Sequence, residues 1–243
     1  MPGQGRIHVG TSGWHYDHWR GPFYPTSLPK DRMLDHYADR FTTVEINNTF
    51  YSLPATKTLA GWRDRTPDGF VFSVKASQYI THRKKLKDPD QSLPRFFEAI
   101  EALGDKIGPV LFQLPPRWRA NPDRLETFMD HLPEGFRYTF EFRDPSWLDE
   151  PVFEILRRHN AALCIYDLDG FTSPRTVTAD FVYIRLHGPE AAYEGHYDTQ
   201  TLSGWAGAIH TWADKGRDVF CYFDNDEAGN AVTDALALKG MVE

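Results

Sequence analysis

The sequence predicts a single (β/α)8 barrel, and three observations carry that expectation. Eight short runs rich in β-branched and aromatic residues alternate with segments of helical period. The chain has 243 residues, close to the ~250 typical of this architecture. No Gly-x-Gly-x-x-Gly follows the first run, as the phosphate-binding turn of a doubly wound dinucleotide fold would require. No shift of composition divides residues 1–243, which are therefore read as one domain.

The predicted strands cover 7–13, 43–49, 70–76, 109–114, 137–143, 162–167, 181–187 and 219–224. Between most of them, apolar residues recur at i, i+3, i+4 and i+7, which places them on one face of a helix. Examples are Leu93, Phe96, Phe97, Ile100 and Leu103, then Leu125, Phe128, Met129 and Leu132, and later Leu202, Trp205, Ile209 and Trp212. Strands alternating with such helices form a parallel sheet with the helices outside it. One connection departs from the pattern. Residues 168–180, between the sixth and seventh runs, lack helical period and predict an irregular loop with at most one helical turn.

Composition narrows the function classes. Hydrophobic residues make up 41% and charged residues 25%, which fits a globular domain rather than a disordered chain. The net charge is −7, opposite to the basic footprint of most nucleic-acid binders, so nucleic acid is disfavoured as a partner but stays open. Cys164 and Cys221 lie in apolar runs and read as buried thiols. No Cys/His spacing suggests a structural metal, and no cofactor motif is present. The N-terminal residues lead into a strand without an apolar leader, and no long apolar run occurs. The expected location is cytoplasmic, away from membranes.

Strand parity nominates the site. Alternate residues of a barrel strand face the helices and the interior. Val44 and Ile46 turned outward leave Glu45 and Asn47 facing in, and the same logic turns Lys75, Gln113, Glu141, Arg143, Arg185 and His187 inward. On the last strand Asn225 is the better inward candidate, with Asp224 beside it. All lie near the C-terminal ends of their strands, where barrel active sites are built. Buried charges need partners, so a self-neutralising network is the structural alternative for any one pair. For the whole set, a pocket is the better expectation. Glu45, Glu141 and His187 are its candidate catalytic acids and bases. Arg143, Arg185 and Lys75 suit an anionic group, with Asn47, Gln113 and Asn225 as further substrate contacts. Trp14, Tyr51, Trp147 and Tyr197 follow strand ends and could wall the cleft, although loop packing is the commoner role for each. The basic stretch 82–87 reads as a solvated loop, with anion steering as its functional alternative.

Several strings form a family pattern in order: Val9-Gly-Thr-Ser-Gly-Trp14, Glu45-Ile-Asn-Asn-Thr-Phe-Tyr51, Phe72-Ser-Val-Lys75 with Ile80-Thr-His82, Leu111-Phe-Gln-Leu-Pro-Pro116, Glu141-Phe-Arg143 with Trp147, Arg185-Leu-His-Gly188 with Tyr193 and Tyr197, and Tyr222-Phe-Asp-Asn225. Together they resemble the YecE-like family, domain of unknown function 72, from about Ile7 to Ala237. The resemblance implies a TIM barrel and assigns no activity. It also brings an analogy to endonuclease IV-like and xylose isomerase-like barrels, at the level of fold alone.

Three functions are therefore carried forward. The first is an enzyme using acid–base chemistry on a small anionic or sugar-like substrate, without an obligatory metal. The second is a metal-dependent phosphodiesterase acting on nucleic acid, which would place a divalent ion among arginines and lysines, a poor electrostatic design. The third is a non-catalytic module that binds an anionic ligand.

Overall fold

A computed structural model describes residues 3–243. The strands are β1 Ile7–Thr11, β2 Thr43–Ile46, β3 Val71–Lys75, β4 Ile107–Gln113, β5 Tyr138–Glu141, β6 Ala162–Leu168, β7 Phe171–Thr172, β8 Phe181–Leu186 and β9 Asp218–Phe223. The α-helices are α1 Met33–Ala38, α2 Asn48–Tyr51, α3 Thr56–Arg65, α4 Pro89–Ser92, α5 Pro94–Ile100, α6 Pro122–Asp130, α7 Glu150–Arg158, α8 Thr199–Ala213 and α9 Asn230–Val242.

The parallel strands follow the order β1-β9-β8-β6-β5-β4-β3-β2. A parallel bridge from Ser12 to Glu45, with the Gly13 amide donating to the Glu45 carbonyl at 2.8 Å, ties β1 to β2. This is the (β/α)8 barrel the sequence predicts. The helices carry the expected signals. Asn121, Asp149 and Asp198 cap α6, α7 and α8 by accepting backbone N–H bonds from Arg124, Glu150 and Thr201, which satisfies donors that have no partner within the helix.

One local expectation is corrected, and a second, the irregular connection 168–180, holds but gains a hairpin. The helix read through Leu103 stops at Ile100 and tightens into a 3-10 segment, Glu101–Lys106, where Gly104 adopts φ 59. The connection 168–180 contains no helical turn. Instead β7 folds back antiparallel on β6, pairing Asp167 with Thr172 and Leu168 with Phe171. Asp169 and Gly170 adopt positive φ, the conformation a tight two-residue hairpin turn requires.

Packing groups the residues into two compact units. The first holds the described residues up to Glu45, with Ile165–Arg175 and Asp180–Glu243. Its buried residues include Trp19, Tyr24, Met33, Tyr37, Phe41, Ile184, Trp205 and Leu238. Arg175 lies 4.0 Å over the Trp205 ring. The second unit, Ile46–Cys164 with Thr176–Ala179, has an aromatic core. Phe112 stacks on Phe140 at 5.2 Å, and Phe142 on Trp147 at 5.0 Å. These phenylalanines alternate along β4 and β5 and the residue after it, which fixes the opposite parity for Gln113 and Glu141. The two are in register with each other.

Candidate active site

In the first unit, four strand ends supply a buried line of alternating charge. Glu45 is 0% exposed and both its oxygens are held. Oε1 accepts from Ser12 Oγ at 2.6 Å and from Arg185 Nη2 at 2.8 Å, and Oε2 accepts from the Tyr183 hydroxyl at 2.6 Å. Arg185, also fully buried, extends Nη2 to Asp224 Oδ2 at 2.9 Å. The same carboxylate oxygen lies 3.1 Å from His187 Nδ1. Arg185 Nη1 approaches His187 Nε2 at 3.3 Å. A guanidinium has donors only, so Nε2 is the acceptor in that contact and Nδ1 carries the ring proton, close to Asp224 but outside hydrogen-bond geometry. The sequence produces the line because Tyr183, Arg185 and His187 occupy alternate positions along β8 and just beyond its end, and so share one face.

The Asp224 side chain keeps 13% of its surface exposed, so this carboxylate is reachable where Glu45 and Arg185 are not. Beyond it, Asp226 accepts from Trp19 Nε1 at 2.6 Å and lies 3.2 Å from His18 Nε2. Burial, reinforced by the charge of Asp224, raises the Asp226 carboxyl to about 6, against the pull of Trp19 and His18. Tyr16 donates its hydroxyl to the Ser12 carbonyl at 2.7 Å. Burial, then the fields of Asp224, Asp226 and Glu45, hold its phenol protonated. Asp167, half-buried on β6, is also shifted upward by burial.

An open cavity of roughly 430 Å³ adjoins these groups, lined by His18, Ala192, Tyr193, Glu194, Asp226, Glu227 and Ala228. The Tyr193 ring packs edge-on against His187 at 5.5 Å, and the Tyr193 amide donates to the His187 carbonyl at 2.6 Å. Gly188 adopts φ 115, and a Cβ there would lie 2.2 Å from the Glu194 carbonyl oxygen. Only glycine fits the turn that folds this loop onto His187.

In the second unit, Glu141 is fully buried and accepts from Arg143 Nε, with Cys164 Sγ 3.8 Å from its other oxygen. Lys75 Nζ lies 4.6 Å over the Phe50 ring. Among the described residues, no group of three or more His, Cys, Asp or Glu side chains is arranged to hold a metal ion. No helix among them is long and apolar enough to cross a membrane.

The sequence matches, over residues 8–243, the family described as "Protein of unknown function DUF72". This chain belongs to the DUF72 family. The UPF0759 protein YunF of Bacillus subtilis is 26% identical, covering 98% of this chain and 95% of YunF. The UPF0759 protein YecE of Escherichia coli K12 is 32% identical over a stretch covering 58% of this chain and 50% of YecE. The crystal structure of a DUF72 family protein from Thermotoga maritima superposes with a TM-score of 0.88 at 28% identity, covering 98% of this chain and 99% of that one.

Of the residues nominated by parity in this DUF72 chain, Glu45, Arg185 and His187 come together in the first unit, and Glu141 pairs with Arg143 in the second. Gln113 is buried and donates from Nε2 to the Leu114 carbonyl at 3.3 Å. Asn47 is half-buried at the start of α2. Asn225 does not take the inward place. Its Nδ2 donates to Asp234 Oδ2 of α9 at 2.8 Å and to the Gly195 carbonyl at 2.9 Å, and Asp224 joins Arg185 instead. The register explains this. Tyr222 lies opposite Arg185, so Tyr222 and Asp224 share the face of Arg185.

The nominated aromatics divide. Trp14, Trp147 and Tyr197 are packed into the core, with Trp147 Nε1 donating to the Trp118 carbonyl at 2.6 Å and the Tyr197 hydroxyl accepting from Gly188 N at 3.0 Å. Tyr51 is 75% exposed. Parity reasoning passed over Ser12 and Tyr183, although both lie on the face of Glu45 and Arg185. Asp226 and Tyr16 lie in loops and His18 in a single 3-10 turn, Asp17–Trp19, where no period marks them.

The raised Asp226 carboxyl predicts a pH-dependent stability. An unfolded aspartate releases its proton near pH ~4, whereas folded Asp226 holds it to about 6. Between those values the folded state binds more protons, so its stabilisation is present at the acid end and fades as pH rises. After allowance for solvent screening, the effect is on the order of 1–2 kcal/mol. Urea unfolding of wild type and Asp226→Asn should therefore show a stability difference that changes between pH 4.5 and 7. A pH-independent difference would remove Asp226 from the account.

Proposed function

We propose that this DUF72 chain is an enzyme that moves protons on a small anionic or sugar-like substrate. The observation that carries this reading is the single Asp224 oxygen shared by Arg185 at 2.9 Å and His187 at 3.1 Å, on a carboxylate that still reaches the surface. The Arg185 guanidinium beside it favours the ionised form of Asp224, which suits it to accept a proton. Asp226, two residues on and raised to about 6, suits the complementary role of donor. Paired carboxylates driven apart by their surroundings are a recurring acid–base design.

The other residues then have distinct parts. Glu45, buried with both oxygens engaged, positions Arg185 rather than meeting substrate. His187, its Nδ1 3.1 Å from Asp224 Oδ2, can relay its proton. The cavity at Asp226 offers the Tyr193 ring as a stacking face and carboxylates as acceptors for hydroxyl groups, which suits a polyhydroxylated ligand. A substrate proton passes to Asp224 and Asp226 returns one, so the pair serves either hydrolysis or an isomerisation.

Thermal unfolding against sugar acids and neutral sugars tests the site. A ligand at 100 times its dissociation constant stabilises by ~2.7 kcal/mol, or roughly 5–10 °C for a domain of this size. The expected result is such a shift in wild type that is lost in Asp224→Asn. Equal shifts in both proteins, or none with any compound, would count against the reading.

A further inference from the structure

The loop after β3 carries a second arrangement that the proton-transfer site does not use. His82 belongs to a π-helical turn, Tyr79–Arg83, a rare geometry often found at functional positions. The chain then passes through Lys85 at φ 49, Leu86 at φ 63 and Asp88 at φ 50. Such backbone persists only where surrounding structure enforces it. The His82 ring meets the Phe50 ring edge-on at 5.0 Å, and Lys75 Nζ lies over the same ring at 4.6 Å. Phe50 thereby holds the imidazole and the ammonium beside one another. Thr81 Oγ1 lies 2.9 Å from His82 Nδ1 and also 3.3 Å from the Ser77 carbonyl, to which it donates. With its hydrogen used there, the hydroxyl accepts from Nδ1, and the ring's other nitrogen, Nε2, is the one left to meet a ligand.

The neighbours of this ring are cations. Burial, then the fields of Lys75, Arg143 and Lys85, hold His82 below the usual imidazole range. Arg143 is partly offset by Glu141, and Lys84 is paired with Asp88 at 2.7 Å. Lys85 Nζ and the Arg124 guanidinium each lie 5.9 Å from the Trp118 ring, which extends the basic surface. Positive charge concentrated around a half-buried ring attracts an anion.

We infer that His82, Lys75 and Lys85 form a phosphate-binding site in the second unit, recognising the dianionic phosphate of a phosphomonoester or free phosphate. Lys75 and Lys85 supply charge and ammonium donors, and His82 Nε2 gains a proton as the dianion arrives.

The experiment follows the His82 ring resonances by NMR while inorganic phosphate is added to the full chain at constant ionic strength, with chloride as the matched control. The expected result is a saturable shift with phosphate alone and an upward move of the His82 titration midpoint. Lys75→Met should weaken phosphate binding about tenfold or more. Lys85→Met, at an exposed position, should weaken it as well and guards against a folding defect in the first variant. Asp224→Asn should bind phosphate as wild type does, which separates this site from the proton-transfer proposal. A titration that never saturates, one that chloride reproduces, or equal affinity in Lys85→Met would overturn the inference. Glucose 6-phosphate beside glucose then tells an ester from the free ion: saturation by the ester alone among the two identifies a phosphomonoester, and its failure where phosphate succeeds leaves the free ion.

Discussion

Replacing Arg185 with methionine is expected to destabilise the protein by about 3–5 kcal/mol, since one change strands two carboxylates. Glu45 is fully buried and would lose the guanidinium 2.8 Å from its Oε1, while Asp224 would lose the 2.9 Å bond that faces it. For a domain of this size the unfolding midpoint should fall by roughly 6–20 °C. The double variant Arg185→Met with Glu45→Leu should recover part of that loss, because removing both charges also removes their desolvation cost. Urea unfolding of the two variants makes the comparison. A loss below about 1 kcal/mol in the single variant would show that Arg185 is not what braces these strand ends.

The second large effect is on turnover. Asp224→Asn preserves the shape of the side chain and leaves Arg185 its Glu45 partner, but removes the base. His187→Ala removes the imidazole that lies 3.1 Å from Asp224 on the other side. Either change should lower the rate about 10²- to 10⁴-fold, the range for loss of a positioned acid or base. Stability should change less than in Arg185→Met, since neither variant leaves the deeply buried Glu45 without its cation. A variant with wild-type rate would show that Asp224 is part of a structural network only.

The fold was legible because β-branched and aromatic runs alternate with helical period, and both signals survive in one sequence. Where they fade, the expectations fail for local reasons. Gly104 breaks the helical backbone that the apolar residues from Leu93 onward suggest, whereas Pro94 opens α5 at its first position. The loop 168–180 is too polar to show that Phe171 and Thr172 pair with β6. In the site, parity identified Glu45, Arg185 and His187 because their strands carry polar residues on one face only. β9 gives no such contrast. Phe220 and Tyr222 face one way and Val219, Cys221 and Phe223 the other, so both faces are apolar and the strand cannot be oriented from its sequence. Register with Arg185 is what brings Asp224 inward and sends Asn225 to Asp234. The aromatics Trp14, Trp147 and Tyr197 illustrate a different limit: a large ring at a strand end fills a core as readily as a cleft.

Proton transfer by Asp224 is visible as exchange at substrate carbon. Wild type and Asp224→Asn are each incubated in deuterium oxide with phosphorylated sugars, sugar acids and neutral glycosides, and the mixtures are followed by ¹H NMR. The account predicts that at least one compound exchanges a carbon-bound proton or forms a new product with wild type, and that Asp224→Asn slows the same change about 10²-fold or more. Identical spectra from the two proteins, whether both react or neither does, would contradict it.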